Sequence, residues 1–134
     1  MKPFTDVHNK PHMKIMKKKV LIVEDERIIS LLIERMVENM GHEVIHKVSS
    51  GEEAVTCALE EEPDIILMDI RLEGELNGIE AMSKIRENKN IPVIYISGNT
   101  DVLHQGKLNR SEYIDFLAKP VTLSELSRSF SLAS

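Results

Sequence analysis

Two short apolar runs in this chain end abruptly in acid: Val20-Leu21-Ile22-Val23 runs into Glu24-Asp25, and Ile65-Ile66-Leu67-Met68 runs into Asp69. Runs this short and continuously apolar suit strands covered on both faces, which places them inside a parallel sheet. If the two strands are neighbours, three carboxylates converge at one sheet edge. Like charges held that close raise each other's pKa or demand a cation, so the cluster points to a site.

The rest of the chain repeats the unit. Apolar runs alternate with helical patterns through five cycles, the signature of a parallel sheet with helices on both faces. A first strand at about Lys19 to Val23 precedes a helix at about Glu26 to Met40, where Ile29, Leu32, Ile33, Met36 and Val37 recur at helical spacing and Gly41 suits the C′ position. A second strand at about Glu43 to Val48 is expected to turn Val44, His46 and Val48 to one side and Ile45 to the other. Ser50-Gly51-Glu52-Glu53 then opens a helix with Ala54, Val55, Ala58 and Leu59 on one face, and Pro63 enforces a break. The third strand, Ile65 to Met68, delivers Asp69 at its carboxyl end, and a polar loop from Arg71 to Asn77 follows. A helix is expected from about Ile79 to Asn88, a strand from Val93 to Ile96, and a helix with weaker patterning from about Asp101 to Leu108. A fifth strand at about Tyr113 to Ala118 and a short last helix from Leu123 to Phe130, with Thr122 as N-cap, complete the reading.

Length and charge narrow the function. The 134 residues suit one domain, 19–134, behind a basic and flexible extension, 1–18. Residues 1–19 hold six Lys and one Asp, so residues 20–134 hold 11 basic against 21 acidic residues. An acidic body argues against nucleic acid as its main partner, because phosphate binding needs a basic face. No apolar run approaches the roughly 20 residues of a membrane span. The single cysteine, Cys57, excludes an internal disulfide and suits a reducing cytoplasm, where it reads as a small, partly buried apolar residue.

In open α/β sheets the functional crevice lies outside the carboxyl ends of the strands. Those ends carry Glu24 and Asp25, Asp69, Ser97 and Lys119. Taken singly, each has an ordinary explanation as a turn residue, a solvated charge or a helix cap. Their coincidence at one edge is another matter. Several carboxylates supply hard oxygen ligands for Mg²⁺, and with a cation present Asp69 could attack a phosphorus atom while Lys119 and Ser97 hold the other oxygens.

At this point the residues resemble a known family, the receiver domain of two-component response regulators. VLIVEDE, IILMDI, PVIYISG and FLAKP stand in the family's order and near its spacing, over about Lys18 to Leu132. The resemblance implies a doubly wound (βα)₅ flavodoxin-like fold, a three-layer α/β sandwich around a five-stranded parallel sheet. It implies that the phosphohistidine of a sensor histidine kinase, or a phosphotransfer protein, donates its phosphoryl group to Asp69. Asp25, Asp69 and the main-chain carbonyl of Arg71 would hold Mg²⁺, with Glu24 acting directly or through water. Ser97 and Lys119 would contact the phosphoryl oxygens, and the Lys119-Pro120 bond would be cis. A switch is implied as well: Ser97 moves inward, Phe116 rotates into the vacated space, and the face formed by the 101–108 helix, the fifth strand and the last helix is remodelled for a downstream protein. The family further implies a cytoplasmic phosphoprotein that is no turnover enzyme, a monomer or phosphorylation-dependent dimer; direct DNA binding is not expected of so acidic a body.

Some positions depart from the family's commonest pattern. Glu24 stands where Asp is more frequent, the loop after Asp69 is one residue longer, and Glu73 replaces a frequent Pro. Arg71 and Asn99 occupy positions that in this family tune acyl phosphate lifetime. Three other functions share parts of the signature. An aspartate-nucleophile phosphatase needs a second acid two residues past the nucleophile, where this chain has Arg71. A flavin or nucleotide module wants a Gly-rich loop after the first strand, where Glu24-Asp25-Glu26 would repel phosphate. A pseudo-receiver that only binds partners would have no use for the complete acid, Ser and Lys set.

Overall fold

The structure is a computed structural model, and it describes residues 16–133 except 100, 103, 104 and 107. Five strands form one parallel sheet: β1 (Lys19–Val23), β2 (Glu43–Val48), β3 (Ile65–Asp69), β4 (Val93–Ser97) and β5 (Asp115–Ala118). Their order is β2-β1-β3-β4-β5, so the two acid-tipped strands are adjacent, with Val23 paired to Met68. Among the described residues four α-helices cover the sheet: α1 (Arg27–Asn39), α2 (Gly51–Glu61), α3 (Gly78–Arg86) and α4 (Leu123–Leu132).

Continuous apolarity does what a two-faced core requires. Val20 and Ile22 of β1 turn to one face, where Ile33 and Val37 of α1 and Leu126 and Phe130 of α4 pack on them. Leu21 and Val23 turn to the other, against Ala54 and Ala58 of α2 and Ala81, Met82 and Ile85 of α3. Burying each of the large aliphatic side chains contributes about 1.5–3 kcal/mol, so the sheet interior fixes where the strand tips point.

Local signals set the helix ends. Asn77 with Glu80, and Thr122 with Glu125, form reciprocal capping boxes at α3 and α4, the second at the expected N-cap. Ser50 caps α2, and Glu62 takes a left-handed conformation (φ 50°) before Pro63. Gly41 follows α1 with φ 91°, as a C′ glycine does.

Two expectations fail. Val44 packs with the α1/α4 face while Val48 packs with the α2/α3 face, although both were expected on one side. The cause is an irregularity in the β1–β2 ladder: Val20 pairs with Val44 but Leu21 with His46, and the skipped Ile45 reverses the alternation. The helix expected over 101–108 is also not seen among the described residues. Asp101 and Val102 form a 3₁₀ turn, Gln105 and Gly106 a turn with Gly106 at φ 71°, and 100, 103, 104 and 107 lie outside the described residues. A positive-φ glycine between sparse apolar positions leaves a helix there little to propagate on. A short 3₁₀ helix at Arg110–Glu112, which periodicity did not suggest, leads into β5.

The expected 1–18 extension lies outside the described residues up to 15. Lys18 already joins the domain: its carbonyl accepts from Glu43 N at 3.0 Å and its N–H donates to His42 Nδ1 at 3.1 Å.

Candidate functional site

Glu24, Asp25, Asp69, Ser97 and Lys119 all sit at or just past the carboxyl ends of β1, β3, β4 and β5, because parallel strands present the same end on one side of the sheet. All of them except Glu24 line an open cavity of about 510 Å³, together with Glu26, Arg71 and Asn99. Glu24 and Asp69 are each only 4 % exposed, whereas Asp25 is half-buried at the rim.

Lys119 organises the floor. Its Nζ donates to Asp69 Oδ2 at 2.9 Å and lies 2.9 Å from Glu24 Oε1 and 3.7 Å from Glu26 Oε1. Burial alone would pull the ammonium pKa down; contact with Asp69 and then Glu24 more than offsets this and leaves it above its ordinary value. Glu24 shows the opposite balance. Burial pushes its carboxyl up to about 7 despite Lys119 and a hydrogen bond from Glu26 N at 3.0 Å. Its Oε1 is buried and accepts no directed hydrogen bond, which is costly for a carboxylate oxygen.

That oxygen, which faces only the Lys119 ammonium, tests whether a cation fits. Glu24, Asp25 and Asp69 each offer a carboxylate oxygen within 4.8 Å of the others. A hard all-oxygen set beside an open cavity suits Mg²⁺, which retains several waters. A divalent ion would also give Glu24 Oε1 a directed bond beside its ion pair with Lys119. The residues therefore fit the ion that the family resemblance implies.

The remaining expected residues stand as follows. Arg71 reaches the cluster through its amide N–H, which donates to Asp69 Oδ1 at 3.2 Å. Ser97 lines the cavity, but its hydroxyl engages its own loop, donating to Asn99 O at 3.2 Å and accepting from Asn99 N at 3.1 Å. Phe116 lies outside the cavity lining, half-buried in an aromatic cluster with Tyr95 and Tyr113, at ring-centroid distances of 6.4 and 6.5 Å. The Lys119-Pro120 peptide bond is cis, as expected.

Sequence reasoning missed two neighbours of the site. Glu26 was read only as part of an acidic run, yet it lines the cavity and faces Lys119. Gly78 lies against the strand tip: a Cβ there would stand 2.2 Å from Asp69 O and 2.8 Å from Met68 Cγ. A glycine directly after the N-cap Asn77 was the available hint.

Comparisons with known proteins point to one family. The family model described as response regulator receiver domain matches residues 20–131. The phyllosphere-induced regulator PhyR of Methylorubrum extorquens is 34% identical over 119 residues, covering 88% of this chain and 44% of that protein. The chain spans about half the length of the curated relatives it matches. Among solved structures, the signal receiver domain of a modulated diguanylate cyclase from Desulfovibrio desulfuricans is 37% identical with a TM-score of 0.80, covering 88% of this chain and 94% of that one. The anti-anti-sigma factor PhyR from Bartonella quintana is 32% identical with a TM-score of 0.78, covering 97% of this chain and 54% of that one.

Proposed function

The chain belongs to the response regulator receiver domain family, and we propose from that premise that it accepts a phosphoryl group on Asp69 from a phosphohistidine. The donor is a sensor histidine kinase or a phosphotransfer protein, and the reaction takes place in the cytoplasm. The observation that carries this reading is Lys119 Nζ at 2.9 Å from Asp69 Oδ2, on the floor of a cavity where two more carboxylates stand within reach of one cation.

In the transfer, a carboxylate oxygen of Asp69 forms a bond to phosphorus as the P–N bond breaks, and the imidazole nitrogen keeps the bonding pair. Lys119 leaves its contact with the carboxylate oxygens for the oxygens of the incoming group, the kind of charge-assisted bond that positions a phosphoryl group. Ser97 Oγ must exchange its bonds to Asn99 for one to that group, which draws the 98–99 turn toward the cavity. Mg²⁺, held by Glu24, Asp25, Asp69 and the main-chain carbonyl of Arg71, would neutralise charge on the phosphoryl oxygens. The chain is then a phosphoacceptor switch rather than a turnover enzyme. Its readout runs from Ser97 through Phe116 to the surface of β5, α4 and the 98–112 connection, where a protein partner binds.

The donor's docking site adjoins the cavity. Ile29, Leu32 and Met36 of α1 form an apolar groove of about 300 Å³ with Pro120 and Val121, and Lys119 lines both groove and cavity. A donor helix seated there holds its phosphohistidine at the cavity mouth. No described helix is long and apolar enough to cross a membrane.

Labelling decides the assignment. With a small phosphodonor and Mg²⁺ the wild type takes up one acid-stable, base-labile phosphoryl group and Asp69→Asn takes up none; equal labelling of both sinks the reading.

A further inference from the structure

The loop that carries Arg71 past Asp69 is tied down by a residue of another element. Loop residues 71–77 are largely exposed, with Leu72 as the member that packs on the core from its first half. Several contacts hold the crown. Glu73 makes an isolated parallel bridge with Ser50 and its carboxylate accepts from Ser49 Oγ at 3.2 Å. Gly74, at φ 85°, lies so close to Glu52 that a Cβ on it would be 2.7 Å from Oε1. Glu75 N–H donates to Glu52 Oε2 at 2.9 Å. Leu76 closes over Gly51, where a Cβ would meet both Leu76 Cβ and its carbonyl oxygen at 2.8 Å.

We propose that Glu52 is a positioning residue: by gripping the crown of the 71–77 loop, it sets where Arg71 stands beside Asp69. This rests on the reading of Asp69 as the phosphoacceptor and of Arg71 as a contributor to its metal site. Glu52 suits the task. It opens α2, where the helix N-terminus favours a carboxylate, and the bond from Glu75 N followed by that from its own N–H holds its pKa below the ordinary range. It is thus an anion with two oxygens fixed at the base of a glycine turn. The loop's other end is already fixed, by Gly78 N to Ile70 O at 2.8 Å and by the α3 capping box. Without Glu52 the segment keeps only Leu72 on the core and the Glu73 contacts with Ser49 and Ser50, and the Gly74-Glu75 turn loses its hold on α2. Outer partners of metal ligands act in this way, holding geometry without touching the ion.

The test compares Glu52→Ala with Glu52→Gln in the full chain. Amide hydrogen exchange is read without metal, and Mg²⁺ affinity and labelling by a small phosphodonor are read with it. In Glu52→Ala the Glu75 and Arg71 amides exchange about 10-fold faster, and Mg²⁺ binding weakens by about 10-fold. The thermal midpoint stays within about 3 °C, as for an ordinary surface substitution. Glu52→Gln, whose amide oxygen can still accept from Glu75 N, recovers most of both. Wild-type protection of both amides in Glu52→Ala overturns the proposal. So does a freed Glu75 amide with Arg71 and Mg²⁺ affinity unchanged, which makes the contact merely local, and so does a Gln variant as impaired as Ala, which reduces the effect to charge. A wild type that takes no label counts against the phosphoacceptor reading alone, since metal-free exchange still scores the grip.

Discussion

At the scale of residues, Glu24 is where the fold is under tension. A carboxyl this deeply buried, and beside Asp69, binds its proton more tightly folded than unfolded, so its protonation favours the folded state. The raised pKa means this contribution is full below about 4.5 and is lost as pH climbs through about 7. Metal-free wild type should therefore lose denaturant resistance between about pH 4.5 and 7 relative to Glu24→Gln, and Mg²⁺ should restore it above that window. Parallel pH dependence of the two proteins in urea melts would refute this role. The principal members of the site, Glu24, Asp25, Asp69 and Lys119, were legible from the chain because a side chain at the end of an apolar run has one place to go in a parallel sheet. Glu52 was not, since its partner is a backbone N–H 23 residues away and no pattern in the chain announces that contact.

Elements impose their own constraints. The approach of α3 to β3 requires Gly78: a methyl group there would overlap the Asp69 carbonyl, and such overpacking costs about 1–3 kcal/mol. Gly78→Ala is expected to lower the urea midpoint by a corresponding amount and to slow Asp69 phosphorylation, because relief comes through movement of the strand tip. Unchanged stability with unchanged labelling would mean that the helix, not the strand, gives way. Strands, caps and most helices followed from hydrophobic period and punctuation. The side reversal at Ile45 did not, because a bulge is a pairing between two strands and leaves no mark on one of them. The stretch from Asp101 to Leu108 misled for a different reason, its few apolar residues serving a turn-rich connection in which Val102 and Leu108 still pack on the core.

The whole molecule is a flavodoxin-like receiver: two cores back to back, with reactive groups at one sheet edge and an apolar groove at its flank. Leu32, about half exposed in α1, contributes to that groove without belonging to the buried core. Leu32→Asp should slow phosphotransfer from the cognate donor protein by about 10-fold, as loss of an apolar anchor does, and leave labelling by a small phosphodonor unchanged. Equal slowing of both would place the effect in the cavity instead. The parallel sheet also separates two ends of the molecule. Each strand enters at one edge and ends at the other, where the reactive groups stand, and five residues of β1 span about 16 Å. A dye attached to the exposed Lys19, where β1 begins, therefore sits a strand's length from the mouth of the cavity, and the chemistry can be watched from the opposite pole.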